Sequence, residues 1–194
     1  MINDRPRETM QALTFWKTIT MDRSNLLENL ISLLNEHGIR FCVIGGQAVN
    51  AYVEPLVSLD LDLVVAVHQL EQVDELLDRH FVLKRFPHSL NVSSAGSDLR
   101  VQIQTDERYA QFVERAARRE VLGLELPVAS VEDVLQGKIW AAQDAGRRGS
   151  KRQKDLADIA RLLEKYPELR RQVPQEIRAR LVDDSMEDRS IRSV

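Results

Sequence analysis

The chain has a single cysteine, Cys42, so it forms no intrachain disulfide, and its neighbours Phe41, Val43 and Ile44 make it a small core residue, not a catalytic thiol. It has no apolar run long enough to cross a bilayer and no secretory pattern at its start, where charged residues dominate through Glu8. A cytoplasmic protein with no membrane partner is therefore expected. The four histidines, His37, His68, His80 and His88, lack the spacing of zinc ligands and read as surface or helix-end residues. Positive charge is not in excess: 27 Lys and Arg against 30 Asp and Glu give a formal net charge of −3, so nothing draws the whole molecule to nucleic acid. Local clusters remain that could meet phosphates, Arg115-Arg118-Arg119 and Arg147-Arg148-Lys151-Arg152-Lys154, and the second is the better placed. There is no internal repeat or low-complexity tract.

What is present is enough apolar content for a substantial core: 194 residues, 43% hydrophobic, predict one compact domain with a helical C-terminal half. Residues 1–20 lack clear periodicity and read as a mobile extension. A core over 21–128 begins with a helix from Ser24 to Glu36, through Leu26, Leu27, Leu30, Leu33 and Leu34, ending at Gly38. Gln69–Arg79 reads as an amphipathic helix, followed by strands near Phe81–Phe86, Leu90–Val92 and Leu99–Ile103. Glu107–Arg118 is expected to be helical and Val121–Val128 extended. The helical part, 129–183, opens at Ser130 with Asp133, a capping-box pattern, and carries Val131, Val134, Leu135, Ile139 and Ala142 at helical spacing. After a loop at Gly146 and Gly149, a second helix runs through Leu156, Ile159, Ala160 and Leu163 and is closed by Pro167. The charged, serine-bearing residues 184–194 read as a disordered tail.

The densest information lies between Phe41 and Val67. An apolar strand breaks at Gly45-Gly46, a short helix over Gln47–Tyr52 follows, Pro55 turns the chain, and Ser58-Leu59-Asp60-Leu61-Asp62 leads into Leu63-Val64-Val65-Ala66-Val67. In a strand, residues two apart face the same way, so Asp60 and Asp62 lie side by side. Two carboxylates that close repel unless a cation neutralises them, and a hard divalent ion is the usual one. Mg²⁺ is expected, with Mn²⁺ as its alternative. Gly-Gly before a helix lets backbone N–H groups approach an anion. Phosphate beside metal is the combined expectation. The unbroken apolar run after Asp62 places this strand centrally in its sheet.

Ile44-Gly45-Gly46, the short helix and Ser58-Leu59-Asp60-Leu61-Asp62-Leu63 resemble the signature of the polymerase-β-type nucleotidyltransferase superfamily, and within it the chain is most similar to the AbiEii-like toxin branch. Leu135–Ala142 and Lys151–Ile159 look like that branch's C-terminal helices, so the resemblance spans roughly Leu27 to Tyr166. It implies an α/β (α+β) fold: a nucleotidyltransferase-type mixed sheet flanked by helices, then a helical C-terminal half. It further implies transfer of a nucleoside monophosphate from an NTP, with release of pyrophosphate, onto an RNA such as tRNA or a protein hydroxyl, and an antitoxin partner. Asp60 and Asp62 would be catalytic and hold the metal, while Gly45, Gly46, Ser58, Lys138, Lys154 and Asp155 would bind the nucleotide.

Two departures stand out. Relatives usually carry a third carboxylate on a later strand, where Leu99–Gln104 offers Arg100, Gln102 and Gln104, with Gln102 at the expected position and Asp98 and Asp106 flanking. Relatives also often have a basic residue shortly before the Asp-x-Asp, where this chain has Leu56. Gln102 favours an alternative from another class: a nucleotidyltransferase-like protein that binds nucleotide, RNA or a protein partner without turnover. Lys151 with Asp155 and Lys154 with Asp158 are four apart on the second C-terminal helix, and Asp158 reads as part of a solvated face.

Overall fold

The computed structural model describes residues 21–181 together with Thr14, Phe15, Lys17 and Thr18. Most of the expected N-terminal extension, and all of the expected tail 184–194, lie outside the described residues. The chain divides into two compact units, Met1–Gly137 and Lys138–Val194.

The first unit is built on a seven-stranded mixed sheet in the order β3-β4-β5-β2-β1-β7-β6. The strands are β1 Phe41–Ile44, β2 Asp60–Val65, β3 Val82–Phe86, β4 Ser89–Ser93, β5 Arg100–Gln104, β6 Ala117–Val121 and β7 Leu124–Val128. β2, which carries the Asp-x-Asp, is the middle strand, as its apolar continuation implied. It runs antiparallel to β1 and parallel to β5. Every residue of β1 is buried, whereas β2 and β5 alternate, with Leu61, Leu63, Val101 and Ile103 turned to the core.

The helices α1 Leu26–Glu36, α2 Gly45–Asn50 and α3 Leu70–Asp78 lie wholly within this unit. α1 buries Leu26, Leu27, Leu30, Ile31 and Leu34, one stripe at helical spacing. Its first amides are held by buried Asp22, whose carboxylate accepts from the backbone N–H of Leu26 at 3.0 Å. α2 begins at Gly45 itself, two residues earlier than its composition implied, and stops at Asn50.

One expected helix is absent. Over Glu107–Arg118 the chain makes only a short 3₁₀ turn, Glu107–Tyr109, and then enters β6 at Ala117. Phe112 is the only residue between Glu107 and Arg118 that is buried, so there is no apolar stripe to bury, and Asp106 instead accepts the N–H of Arg108 to close a tight turn. The extended run expected over Val121–Val128 is likewise broken, at Leu122-Gly123, where positive φ values of 55° and 80° fold β6 onto β7 as a two-residue hairpin.

The division between the units falls within α4, Val131–Gln143. The second unit continues with α5 Gly149–Lys165, a 3₁₀ segment Pro167–Gln172 and α6 Gln175–Arg178. Leu156, Ile159, Leu162 and Leu163 form the buried stripe of α5, and Leu169, Val173 and Ile177 complete the core of this unit. Among the described residues no helix is long and apolar enough to cross a membrane.

Candidate active site

The carboxylates of Asp60 and Asp62 project from one face of β2, because the alternation that buries Leu61 and Leu63 leaves them on the other side. Asp62 pairs in register with Ile44, the last residue of β1, so the chain turns from strand into α2 directly beside it. Gly45 makes that turn with φ 66°, and a β-carbon there would lie 2.1 Å from Asp62 Oδ2. Only a residue without a side chain leaves room for the Asp62 carboxylate, which gives the first glycine of the pair a steric role as well as a conformational one.

Two amides of α2 hold the approach to Asp60. Buried Gln47 donates from Nε2 to the carbonyl of Ser58 at 3.0 Å. Asn50 donates from Nδ2 to the carbonyl of Leu56 at 2.7 Å and accepts the Leu56 N–H at 3.0 Å. Ser58, itself buried, reaches the N–H of Asp60 with its hydroxyl at 3.4 Å. Neither Gln47 nor Asn50 was singled out from the sequence, because side-chain amides have no spacing signature. Leu56, where relatives often have a basic residue, is 57% exposed.

β5 supplies the other wall. Its parallel register sets Arg100 beside Asp60, Gln102 beside Asp62 and Gln104 beside Val64. Gln102 therefore occupies the place on β5 that faces the signature carboxylate. Asp98 is exposed and Asp106 hydrogen-bonds Arg108, and among the described residues no three His, Cys, Asp or Glu side chains gather as a metal cluster. The Arg108 hydrogen bonds hold the Asp106 carboxyl below the usual carboxylate range. Arg100 Nε lies 2.8 Å from Asp60 Oδ1, a salt bridge whose partners are 67% and 31% exposed.

The chemistry of these donors suits the expected ion. Asp60, Asp62 and the neutral oxygen of Gln102 are hard oxygen donors on adjacent strands, and they fit Mg²⁺, which takes one or two carboxylates and fills its shell with water and substrate phosphate.

In the second unit two of the expected nucleotide residues, Lys138 and Asp155, belong to a buried ionic network. Lys138, 8% exposed, sends its Nζ to Asp155 Oδ1 at 3.1 Å and to Asp158 Oδ2 at 2.7 Å. Arg147 holds the other oxygen of Asp155 at 2.8 Å, and Arg161 holds Asp158 Oδ1 at 2.9 Å. Asp155 thus orients a lysine on the neighbouring helix. Burial alone would lower the Lys138 pKa, but attraction to Asp158 and Asp155, with hydrogen bonds to both, holds it above its ordinary value. The reading of Asp158 as a solvated face is corrected: it is 3% exposed and faces Lys138 and Arg161 because it continues the stripe of Asp155, Leu156, Ile159 and Leu162 at helical spacing. Lys154 is exposed.

The arginine clusters are partly occupied. Arg115 makes a two-pronged contact with Asp133 at 2.5 and 2.9 Å, Arg118 donates to the carbonyl of Glu125, and Arg119 stacks 4.1 Å over the ring of Tyr52. In the second cluster Arg147 is committed to Asp155 and Arg152 to the carbonyl of Asp144.

A mixed sheet whose central strand presents paired carboxylates beside a Gly-Gly strand-to-helix turn defines a nucleotidyltransferase-type fold. The solved structures agree on the fold. The solution structure of the antibiotic-resistance factor ANT(2″)-Ia matches with TM-score 0.56 at 12% identity, over 80% of this chain and 90% of that one. The crystal structure of ANT(2″)-Ia in complex with adenylyl-2″-tobramycin gives 0.57 at 13% identity, over 80% and 96%. The lincosamide antibiotic adenylyltransferase LnuA, lincomycin-bound, gives 0.50 at 11% identity, over 74% and 99%. No curated protein sequence matches. The family model "Nucleotidyl transferase AbiEii toxin, Type IV TA system" matches residues 47–193, and the chain belongs to this family. The match starts just after Gly45-Gly46 and includes both Asp60 and Asp62.

Proposed function

We propose that the protein is a Mg²⁺-dependent nucleotidyltransferase that moves a nucleoside monophosphate from an NTP to a hydroxyl of an RNA, such as tRNA, or of a protein, and that it acts as the toxin of a toxin–antitoxin pair. The observation that carries this reading is the packing of Gly45 against the Asp62 carboxylate, which gives the Asp60–Asp62 face of β2 a built neighbour for a metal-bound triphosphate. The acceptor oxygen would form a bond to the α-phosphorus as the bond to the bridging oxygen breaks. Pyrophosphate leaves and the hydroxyl proton passes to solvent. A bound divalent ion would supply positive charge at the phosphates. Asp60 and Asp62 would hold it, Gly45, Gly46 and Ser58 would line the triphosphate, and Gln47 and Asn50 would fix the strand entry. In the second unit, Lys138 and Asp155 would brace the helix that carries the exposed Lys154.

A second reading rests on Gln102. An amide oxygen beside Asp62 is a weaker, uncharged ligand than the carboxylate relatives carry, which suits a protein that binds nucleotide, RNA or a partner without turnover. Incubation with each α-labelled NTP, Mg²⁺ or Mn²⁺, and total tRNA or lysate separates the two. Label in RNA or protein that disappears in Asp60→Ala/Asp62→Ala establishes transfer. Nucleotide binding that depends on both aspartates, without label, establishes the binding protein.

A further inference from the structure

We propose that Arg100 is a resident counter-cation of the site: it occupies Asp60 when no metal is bound, is displaced by the incoming divalent ion, and then turns its guanidinium to the triphosphate that arrives with that ion. The inference rests on the reading of Asp60 and Asp62 as metal ligands.

Three observations carry it. The parallel register of β2 and β5 sets Arg100 opposite Asp60, and the alternation of β5, with Val101 and Ile103 buried, puts Arg100 on the same face as Gln102 and the two carboxylates. The guanidinium already engages a proposed ligand atom, with Nε 2.8 Å from Asp60 Oδ1. Finally, the Arg100 side chain is 67% exposed, so no packing pins it there and the long side chain can swing without a core rearrangement.

Charge decides the consequence. A site of three carboxylates offsets most of the charge of two divalent ions, whereas Asp60 and Asp62 with neutral Gln102 carry only two negative charges, and Arg100 cancels one of them. Free metal must therefore compete with a cation already in place. Metal bound to triphosphate does not meet the same opposition, because the released guanidinium gains phosphate oxygens, for which its planar fork is suited. Arg100 thereby takes over part of the charge compensation that a second metal ion would provide. The site would favour the metal–triphosphate complex over the bare ion.

The test is a calorimetric titration of the full chain with Mn²⁺, and separately with the manganese complex of inorganic triphosphate, a probe that is independent of base preference. Wild type, Arg100→Gln, Arg100→Glu and Asp60→Ala/Asp62→Ala are compared. Arg100→Gln is expected to bind bare Mn²⁺ about two- to fivefold more tightly, the range an exposed ion pair supplies. The same variant should bind the triphosphate complex more weakly than wild type. Arg100→Glu, which adds a carboxylate, should raise the affinity for bare Mn²⁺ further. Unchanged or weaker Mn²⁺ binding in both Arg100 variants, with binding still abolished in the double aspartate variant, overturns the proposal and leaves the metal site standing. Mn²⁺ binding that survives loss of both aspartates overturns the site and the proposal together.

Discussion

Gly45 and Asp62 share one space: a β-carbon on Gly45 would lie 2.1 Å from Oδ2 and 2.9 Å from Cγ of Asp62. Gly38 has nearly the same φ, 63°, but a β-carbon there would meet nothing within 4 Å, so the pair separates the strain of positive φ from steric conflict. Gly38→Ala should cost about 1 kcal/mol in urea unfolding, from positive φ alone. Gly45→Ala should cost about 2 kcal/mol or more and also displace the Asp62 carboxylate, seen as loss of Mn²⁺ binding in calorimetry. Retained binding in Gly45→Ala would mean that Asp62 is not a ligand.

Gln102 stands beside Asp62 in the β2–β5 register, so it is the place to restore a third acid. Gln102→Asp should raise Mn²⁺ affinity by about tenfold through added ligand charge. If wild type binds nucleotide without turnover, the same substitution is the one expected to produce label transfer. A variant that binds Mn²⁺ no better than wild type would show that position 102 does not face the ion.

Lys138 is enclosed by two carboxylates, and its removal strands charge inside the second unit. Lys138→Met should destabilise by about 3 kcal/mol, the low end for breaking a buried pair, because Arg147 and Arg161 still hold one oxygen of each aspartate. The sign of the pH dependence follows from the raised pKa of Lys138. Its contribution is complete below its ordinary value of 10.5 and is lost as pH rises through the higher folded value. Wild type and Lys138→Met should therefore differ in stability at about pH 8 and converge at strongly alkaline pH. A constant difference across that range would remove the ammonium from the account.

Cys42 lies in β1, fully buried, and burial together with the charge of Asp133 pushes its thiol up to about 12. A thiolate is what reacts, so at about pH 8 the native protein should resist a disulfide reagent such as DTNB and become reactive only in denaturant. Rapid labelling of the native protein would show that β1 opens locally.

How much of this was legible depended on whether a residue's role is written in its neighbours. The Asp-x-Asp strand could be placed at the centre of the sheet because Leu63-Val64-Val65 leaves no polar face to expose, and β2 is the middle strand. The α1 and α5 stripes were equally plain from leucine spacing. The β6–β7 hairpin was not, since its turn is Leu122-Gly123, where Leu122 adopts φ 55° against its preference and no Asn or Asp announces the turn. In the candidate site, the common face of Asp60 and Asp62 and the turn at Gly45 were readable from local spacing. Arg100 contacting Asp60 depends on the register of two strands distant in sequence, and Asp155 meeting Lys138 depends on how two helices pack. Contacts of that kind have no local signature.

The Asn50 amide, bonded to both the N–H and the carbonyl of Leu56, does for the returning chain what a neighbouring strand would do. The segment between α2 and Ser58 is thus tied down near its far end by Asn50, with Gln47 holding the Ser58 carbonyl just beyond it, while Glu54 and Pro55 sit exposed at the bend. The register of Asp60 is set by its pairing with Arg100 on β5, not by that bend. Sequence change at the bend would alter the surface beside the Asp60–Asp62 strand while β2 stays fixed by its neighbours β1 and β5.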